Sequence, residues 1–261
     1  MRSLPPIVLF AALLLLCACI SKPPEIPLTE VPAAPLLRAL EQRRQAFAGL
    51  KAVAAVDAVR KGRKRSFDNV GIVLADQNRL RLEAYGPLGQ SLLVLTWDGK
   101  EVLYRQGGQA HIMRPGAAGL EWILGANLDM QELCAALAGN IPEVPATAGI
   151  AASCGRGNVC VLTISQGEAV RRVQVLFRSS GAEPELTPLA QELFHNGKLV
   201  YRVRFEQRAA IAQYHLPQLV VLENPDKGFS LTVRYGEAEV NVPIEQELFT
   251  LSDEGRTEGA P

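Results

Sequence analysis

A mainly β fold with some α is what this chain predicts: a single curled antiparallel sheet of about 10–11 strands with a few short helices. Two observations carry that expectation. The first is apolar–polar alternation, the period of a half-buried strand. Leu80, Leu82 and Ala84 alternate with Arg79, Arg81 and Glu83. Val173, Val175 and Phe177 share one face, as do Leu199, Tyr201, Val203 and Phe205, and then Phe229, Leu231, Val233 and Tyr235. The second is turn chemistry at the breaks: Asp98-Gly99, Gly107-Gly108, Asn196-Gly197 and Asp226-Lys227-Gly228. Such pairs supply the positive φ that tight hairpins need. A sheet this large curls, and a helix laid across it is the economical way to cover its apolar face.

Taken in order, residues 1–18 have the layout of a secretory signal: Arg2, a short apolar run over 6–16, then small residues. The run is too short to span a bilayer. Leu16-Cys17-Ala18-Cys19 matches a bacterial lipobox, which implies cleavage before Cys19 and acylation of that residue. The plainer alternative is an ordinary signal peptide with an incidental cysteine. Residues 19–35 contain Pro23, Pro24, Pro27, Pro32 and Pro35 and read as an extended tether. At ~3.1 Å per residue it reaches up to roughly 50 Å from the anchor. Ile20 and Ser21 follow the cysteine, without an aspartate at the second position, and this points to the outer membrane.

A domain over 36–251 follows. Leu36, Leu37, Leu40, Phe47 and Leu50 fall at helical spacing and predict one amphipathic helix over 36–50, with alternation taking over after Gly49. Between the strand-rich parts, Leu128, Leu133, Leu137 and Ile141 predict a short helix beyond Asp129. A last helical turn begins near Pro243 and runs through Leu248 and Phe249. Residues 252–261 form a polar tail.

Lysine plus arginine and aspartate plus glutamate are both 27, a balance that argues against a nucleic-acid partner. Hydrophobic residues make up 48% and aromatic residues 6%, so aliphatic side chains must fill the core. Of the five cysteines, Cys154 and Cys160 bracket Gly155-Arg156-Gly157-Asn158 and could clamp a hairpin in an oxidising compartment. Cys134 sits in an apolar helical pattern and reads as a buried free thiol. His111, His195 and His215 are scattered surface or strand-end residues, and no metal-ligand spacing is present. Ser153-Cys154-Gly155 lacks a nucleophile elbow, and Gly155-Arg156-Gly157 is not a P-loop. No cofactor is implied, and an enzyme is the weaker class. Arg171-Arg172 reads as a surface pair. The run Arg60-Lys61-Gly62-Arg63-Lys64-Arg65 is either a solvated hairpin tip or a surface for anionic headgroups or an acidic carrier rim.

Several segments together carry a resemblance. Arg79-Leu80-Arg81-Leu82-Glu83-Ala84-Tyr85-Gly86-Pro87-Leu88-Gly89-Gln90 resembles the strand and turn of LolB-type outer-membrane lipoprotein receptors. Trp122-Ile123-Leu124-Gly125 is similar to a second segment of that family. Leu216-Pro217-Gln218-Leu219-Val220-Val221-Leu222, followed by a strand over 228–235, is similar to its closing hairpin. The resemblance implies an incomplete β-barrel capped by short helices around an apolar cavity. That cavity would accept the acyl chains of lipoproteins from a soluble periplasmic LolA-like carrier, and the receptor would release them into the outer membrane.

Candidate cavity residues are then Leu80, Leu82, Leu93, Leu95, Trp97, Trp122, Tyr201, Val203, Phe205, Leu231 and Val233, with a core-filling role as the alternative for the two tryptophans. The Pro-Leu-Gly turn corresponds to Pro87, Leu88 and Gly89, with Leu88 as the protruding membrane-insertion residue. Its alternative is a leucine that packs on its own sheet. A second function class also fits: an envelope accessory or sensor that uses the same sheet for protein docking or other lipids, without lipoprotein transfer.

Overall fold

The computed structural model describes residues 28–106, 109–113, 128–179, 184–211, 214–250 and 256–258. The expected signal peptide, Cys19, the first part of the tether, Trp122 and most of the tail lie outside them.

Strand β1 (Thr29–Glu30) leads into helix α1 (Ala34–Gln45). A first meander follows: β2 (Gly49–Arg60), β3 (Arg63–Ala75), β4 (Arg79–Tyr85), β5 (Ser91–Trp97), β6 (Val102–Gln106) and β7 (Gln109–Met113). Helix α2 (Met130–Leu137) precedes the second meander. That comprises β8 (Gly149–Cys154), β9 (Val159–Gln166), β10 (Ala169–Arg178), β11 (Glu185–His195), β12 (Lys198–Ile211), β13 (Tyr214–Asn224) and β14 (Phe229–Val240). Strand β15 (Arg256–Glu258) comes last.

All fifteen strands belong to one sheet, in the order β1-β8-β9-β10-β11-β12-β13-β14-β2-β3-β4-β5-β6-β7-β15. The two meanders join where β14 pairs with β2, and among the described residues the sheet does not close on itself. This exceeds the 10–11 strands expected, partly because β1 and β15 are two and three residues long, too short to show alternation. These two cover the outer edges of β8 and β7, which would otherwise offer unpaired backbone groups.

Curling follows from irregularities the alternation does not reveal. The β14–β2 register shifts between Tyr235 and Glu237, and the β2–β3 register shifts between Ala54 and Val56. Because Tyr235 faces Ala54, the two bulges lie side by side and bend three strands together. Pro188, inside β11, sits at another register shift, where a missing N–H is tolerated.

Helix α1 stops at Gln45 rather than at Leu50 as the spacing predicts. Phe47 and Leu50 are buried, but from the loop and from the start of strand β2. Apolar spacing over so few residues does not distinguish one continuous helix from a helix, a bend and a strand. Helix α2 lies where expected, capped by Asp129, whose carboxylate accepts from the Glu132 N–H while Glu132 bonds back to the Asp129 N–H. Its other end is a Schellman motif: Gly139 N–H bonds to the Ala136 carbonyl and Asn140 N–H to that of Ala135. Gly139 has φ 65°, and a Cβ there would collide with the Pro217 ring.

The expected last helical turn is a 3-10 turn over Gln246–Phe249. It crosses the outer face of the sheet, where Arg81 Nη1 donates to the Leu248 carbonyl and the Arg79 guanidinium lies over the Phe249 ring. This explains why both faces of β5 are buried, Val94 and Thr96 on one side and Leu95 and Trp97 on the other.

Cys154 and Cys160 form the anticipated disulfide, facing each other across the β8–β9 hairpin. Cys134 is the buried free thiol. Replacing Cys154 and Cys160 by serine is expected to lower stability by about 2 kcal/mol, given so short a loop, with urea unfolding under non-reducing conditions as the check.

Candidate functional site

The Pro-Leu-Gly turn joins β4 to β5. Gly86 N–H bonds to the Gln90 carbonyl, and Gly89 N–H returns to the Gly86 carbonyl. Pro87 presets the first turn position, and Gly89, at φ 77°, takes the left-handed one. The Leu88 N–H is held by the Gln90 side-chain oxygen at 3.1 Å. A backbone fixed in this way keeps the Leu88 side chain from folding back, and it is 93% exposed, far more than any other large apolar residue described. Tyr85 and Leu92, on the flanking strands, are also exposed apolar side chains. The expectation that Leu88 packs on its own sheet is not what the fold shows.

The candidate cavity residues have a different setting. Leu80, Leu95, Trp97, Tyr201, Val203, Phe205, Leu231 and Val233 are buried in one continuous core, with Leu82 and Leu93 packed against it. Met130, Leu133, Cys134 and Leu137 of α2 belong to the same cluster, so that helix fills the concave side of the sheet. Trp122 lies outside the described residues. Burial raises the Cys134 thiol well above its ordinary value, so it stays protonated and unreactive near neutrality.

What concavity is described lies beside this core. A cleft of about 400 Å³ opens between α1 and the stretch leading into β8. Its apolar lining includes Leu37, Leu40, Ile141, Val144 and Ile150, and Glu41 and Arg44 stand at its polar side. Arg44 binds Glu41 through two hydrogen bonds of 2.8 and 2.7 Å, and this holds the Glu41 carboxyl below its ordinary range. A smaller hollow of about 110 Å³ adjoins it, bordered by Val144, Ile164, Leu193 and Arg171.

Arg171 corrects an expectation. It is not half of a surface pair: its side chain is 16% exposed and faces the concave side. Nη2 donates to Glu132 Oε1 of α2 at 2.8 Å, while Nη1 donates to Tyr201 Oη at 2.7 Å and Gln191 Oε1 at 3.0 Å. Arg172 points the other way, over the Phe194 ring. The signal was present, since Arg171 shares its alternation phase with Val173 and Val175.

The far end of α2 is tied as firmly. Tyr235 donates to the Leu137 carbonyl, Tyr214 donates to that of Ala138, and Arg43 of α1 donates to that of Gly139. These are the carbonyls that a helix end leaves without internal partners. Arg43 also lies 4.5 Å over the Tyr214 ring.

Burial pushes the Tyr214 hydroxyl from 10.0 up to about 12 and pushes Tyr201 and Tyr235 in the same direction. For a group raised in the folded state, stability is complete below the unfolded value and is lost as pH climbs through the folded one. The chain is therefore expected to unfold as pH rises from about 10 past about 12, with tyrosinate absorbance and loss of circular dichroism moving together. Ionisation of Tyr201, Tyr214 or Tyr235 near pH 10 in a still-folded chain, beyond what the exposed Tyr85 supplies, would contradict this.

Among the described residues no group of histidine, cysteine, aspartate and glutamate could hold a metal ion, and no helix is long and apolar enough to cross a membrane. His195 and His215 are exposed, as expected, and His111 stacks on Tyr104.

No protein-family model and no curated protein matches the chain. Solved structures do. A LolA superfamily protein from Nitrosomonas europaea superimposes with TM-score 0.55 at 11% identity, over 85% of this chain and 98% of that one. A DUF1329 family protein from Desulfovibrio piger gives TM-score 0.59 at 11% identity, over 82% and 94%. An outer membrane lipoprotein-sorting protein domain from Vibrio parahaemolyticus gives 0.53 at 10% identity, over 81% and 95%. At such identities the likeness is one of fold: an open, curled sheet of the LolA/LolB-like type.

Proposed function

We propose that this chain is a lipid-anchored periplasmic lipoprotein that binds acyl chains and helps deliver lipoproteins to the outer membrane. In this reading Cys19 carries the anchor, a LolA-like carrier supplies the cargo, and Leu88 enters the target membrane. The observation that carries it is the rigid turn presenting Leu88, on a fold of the LolA/LolB-like type.

The cleft between α1 and the stretch before β8 is where an acyl chain would lie. Its volume and apolar lining fall within the usual range of ligand sites. Burying an acyl chain contributes about 25 cal/mol per Å², and an open side leaves a route for release. No covalent chemistry is required. The test is titration with a fluorescent fatty acid and with a synthetic acylated peptide. Saturable binding is expected, weakened at least tenfold by Leu40→Asp at the cleft wall. Absence of binding would sink the reading, and binding indifferent to Leu40→Asp would remove the cleft from it.

A further inference from the structure

The densest charge in the chain lies at the same end of the sheet as Leu88. β2 runs toward this end and turns at Lys61-Gly62, β4 runs the same way into the Leu88 turn, and β13 turns there at 225–228. The β2–β3 connection is a two-residue turn, with Lys61 at φ 49° and Gly62 at φ 77°, closed by the Arg60–Arg63 pair. Both positive values are what a tight type I′ hairpin needs, so the tip is a rigid projection and not a loose loop.

Pairing of β3 with β4 begins only at Val70 with Ala84. The preceding part of β3, residues 63–69, therefore has no strand beside it there and overhangs the Leu88 turn. Arg60, Lys61, Arg63, Lys64 and Arg65 are all exposed on this projection. Lys64 is paired with Asp57 at 3.1 Å, and Asp57 also accepts from Ser66. Arg60, Lys61, Arg63 and Arg65 have no carboxylate within ion-pair distance among the described residues.

We infer that the β2–β3 tip is an electrostatic docking surface for an anionic lipid bilayer, acting beside the apolar Leu88 turn. The inference rests on the reading of Leu88 as membrane-facing and adds the chemistry of the membrane it meets. Charge complementarity selects an anionic occupant. A bilayer fits better than an acidic protein because the exposed cations are gathered on a projecting two-residue turn and the short strand ends beside it. Tyr85, Leu88 and Leu92 at the same end are apolar, suited to the headgroup boundary and ill suited to a charged protein rim. Basic side chains near an anionic surface each improve partitioning about fivefold, an attraction that fades beyond a Debye length. The tip would orient the domain, and Leu88 would then enter.

The experiment uses the mature chain from residue 19 carrying Cys19→Ala, exported under a replaced, cleavable signal, so that neither an acyl anchor nor the apolar run over 6–16 contributes. Co-sedimentation is measured with phosphatidylcholine vesicles and with vesicles also containing phosphatidylglycerol. At low salt, binding to the anionic vesicles is expected to exceed binding to the zwitterionic ones at least tenfold, and to fall steeply as salt rises. Arg63→Glu with Arg65→Glu, both exposed, should lower anionic binding by tenfold or more. Circular dichroism, fatty-acid binding and attachment to zwitterionic vesicles should not change.

Equal binding to both vesicle types overturns the inference, as does a double variant that keeps the anionic preference. A variant that keeps vesicle binding but loses capture of an acidic periplasmic carrier overturns it in favour of a protein partner. Fatty-acid binding is read separately, so failure of the acyl-carrier reading shows there and not in the vesicle preference.

Discussion

Replacing Glu132 by alanine is expected to cost about 3–5 kcal/mol of folding stability. The change strands the Arg171 guanidinium in the core, where Glu132 is its ion-pair partner and Tyr201 and Gln191 are neutral. It also removes half of the capping box that starts α2. For a domain of this size the midpoint of thermal unfolding should fall by roughly 10 °C. Glu132→Leu combined with Arg171→Met should recover much of the loss, since an apolar pair of similar volume avoids the desolvation cost of both charges. Thermal and urea unfolding of the three variants decide the matter. A Glu132→Ala protein as stable as the parent would mean that α2 is not held on the sheet by this pair.

Leu88→Glu is expected to have the opposite profile, with little effect on folding and a large one on delivery. A side chain 93% exposed makes almost no stabilising contacts, so unfolding should shift by less than about 0.5 kcal/mol. Fatty-acid binding should also be unchanged, because the cleft is lined by α1 and the stretch before β8 and not by this turn. Transfer of an acylated peptide from the protein into vesicles should fall at least tenfold, since a carboxylate at the tip opposes entry into the apolar layer. Leu88→Phe should restore it. Unchanged transfer with Leu88→Glu would favour the docking or sensor role over delivery.

The strands were legible because alternation and turn pairs are local. Leu80 to Ala84, Val173 to Phe177 and Phe229 to Tyr235 all lie in strands, and Asn196-Gly197 turns between β11 and β12. Cys154 and Cys160 were legible because the residues between them form turns. The end of α1 was not, since Phe47 and Leu50 keep a helical phase while belonging to a loop and a strand. The aligned bulges that curl the sheet leave no compositional mark at Ala55 or Gly236 beyond small size. The buried role of Arg171 was written in its alternation phase, but its partner Glu132 is 39 residues away and only the fold brings them together. The cleft was hidden for the same reason, because one wall comes from α1 and the other from residues 141–150, about a hundred positions away.

Whether this fold holds acyl chains is decided by mass spectrometry of what co-purifies with the chain carrying Cys19→Ala, exported to the periplasm under a replaced signal sequence. Lipids or acylated lipoprotein peptides bound in stoichiometric amount, and lost from Leu40→Asp, are the predicted result. A protein recovered free of any acyl species, and unable to take one up from vesicles, would contradict the account.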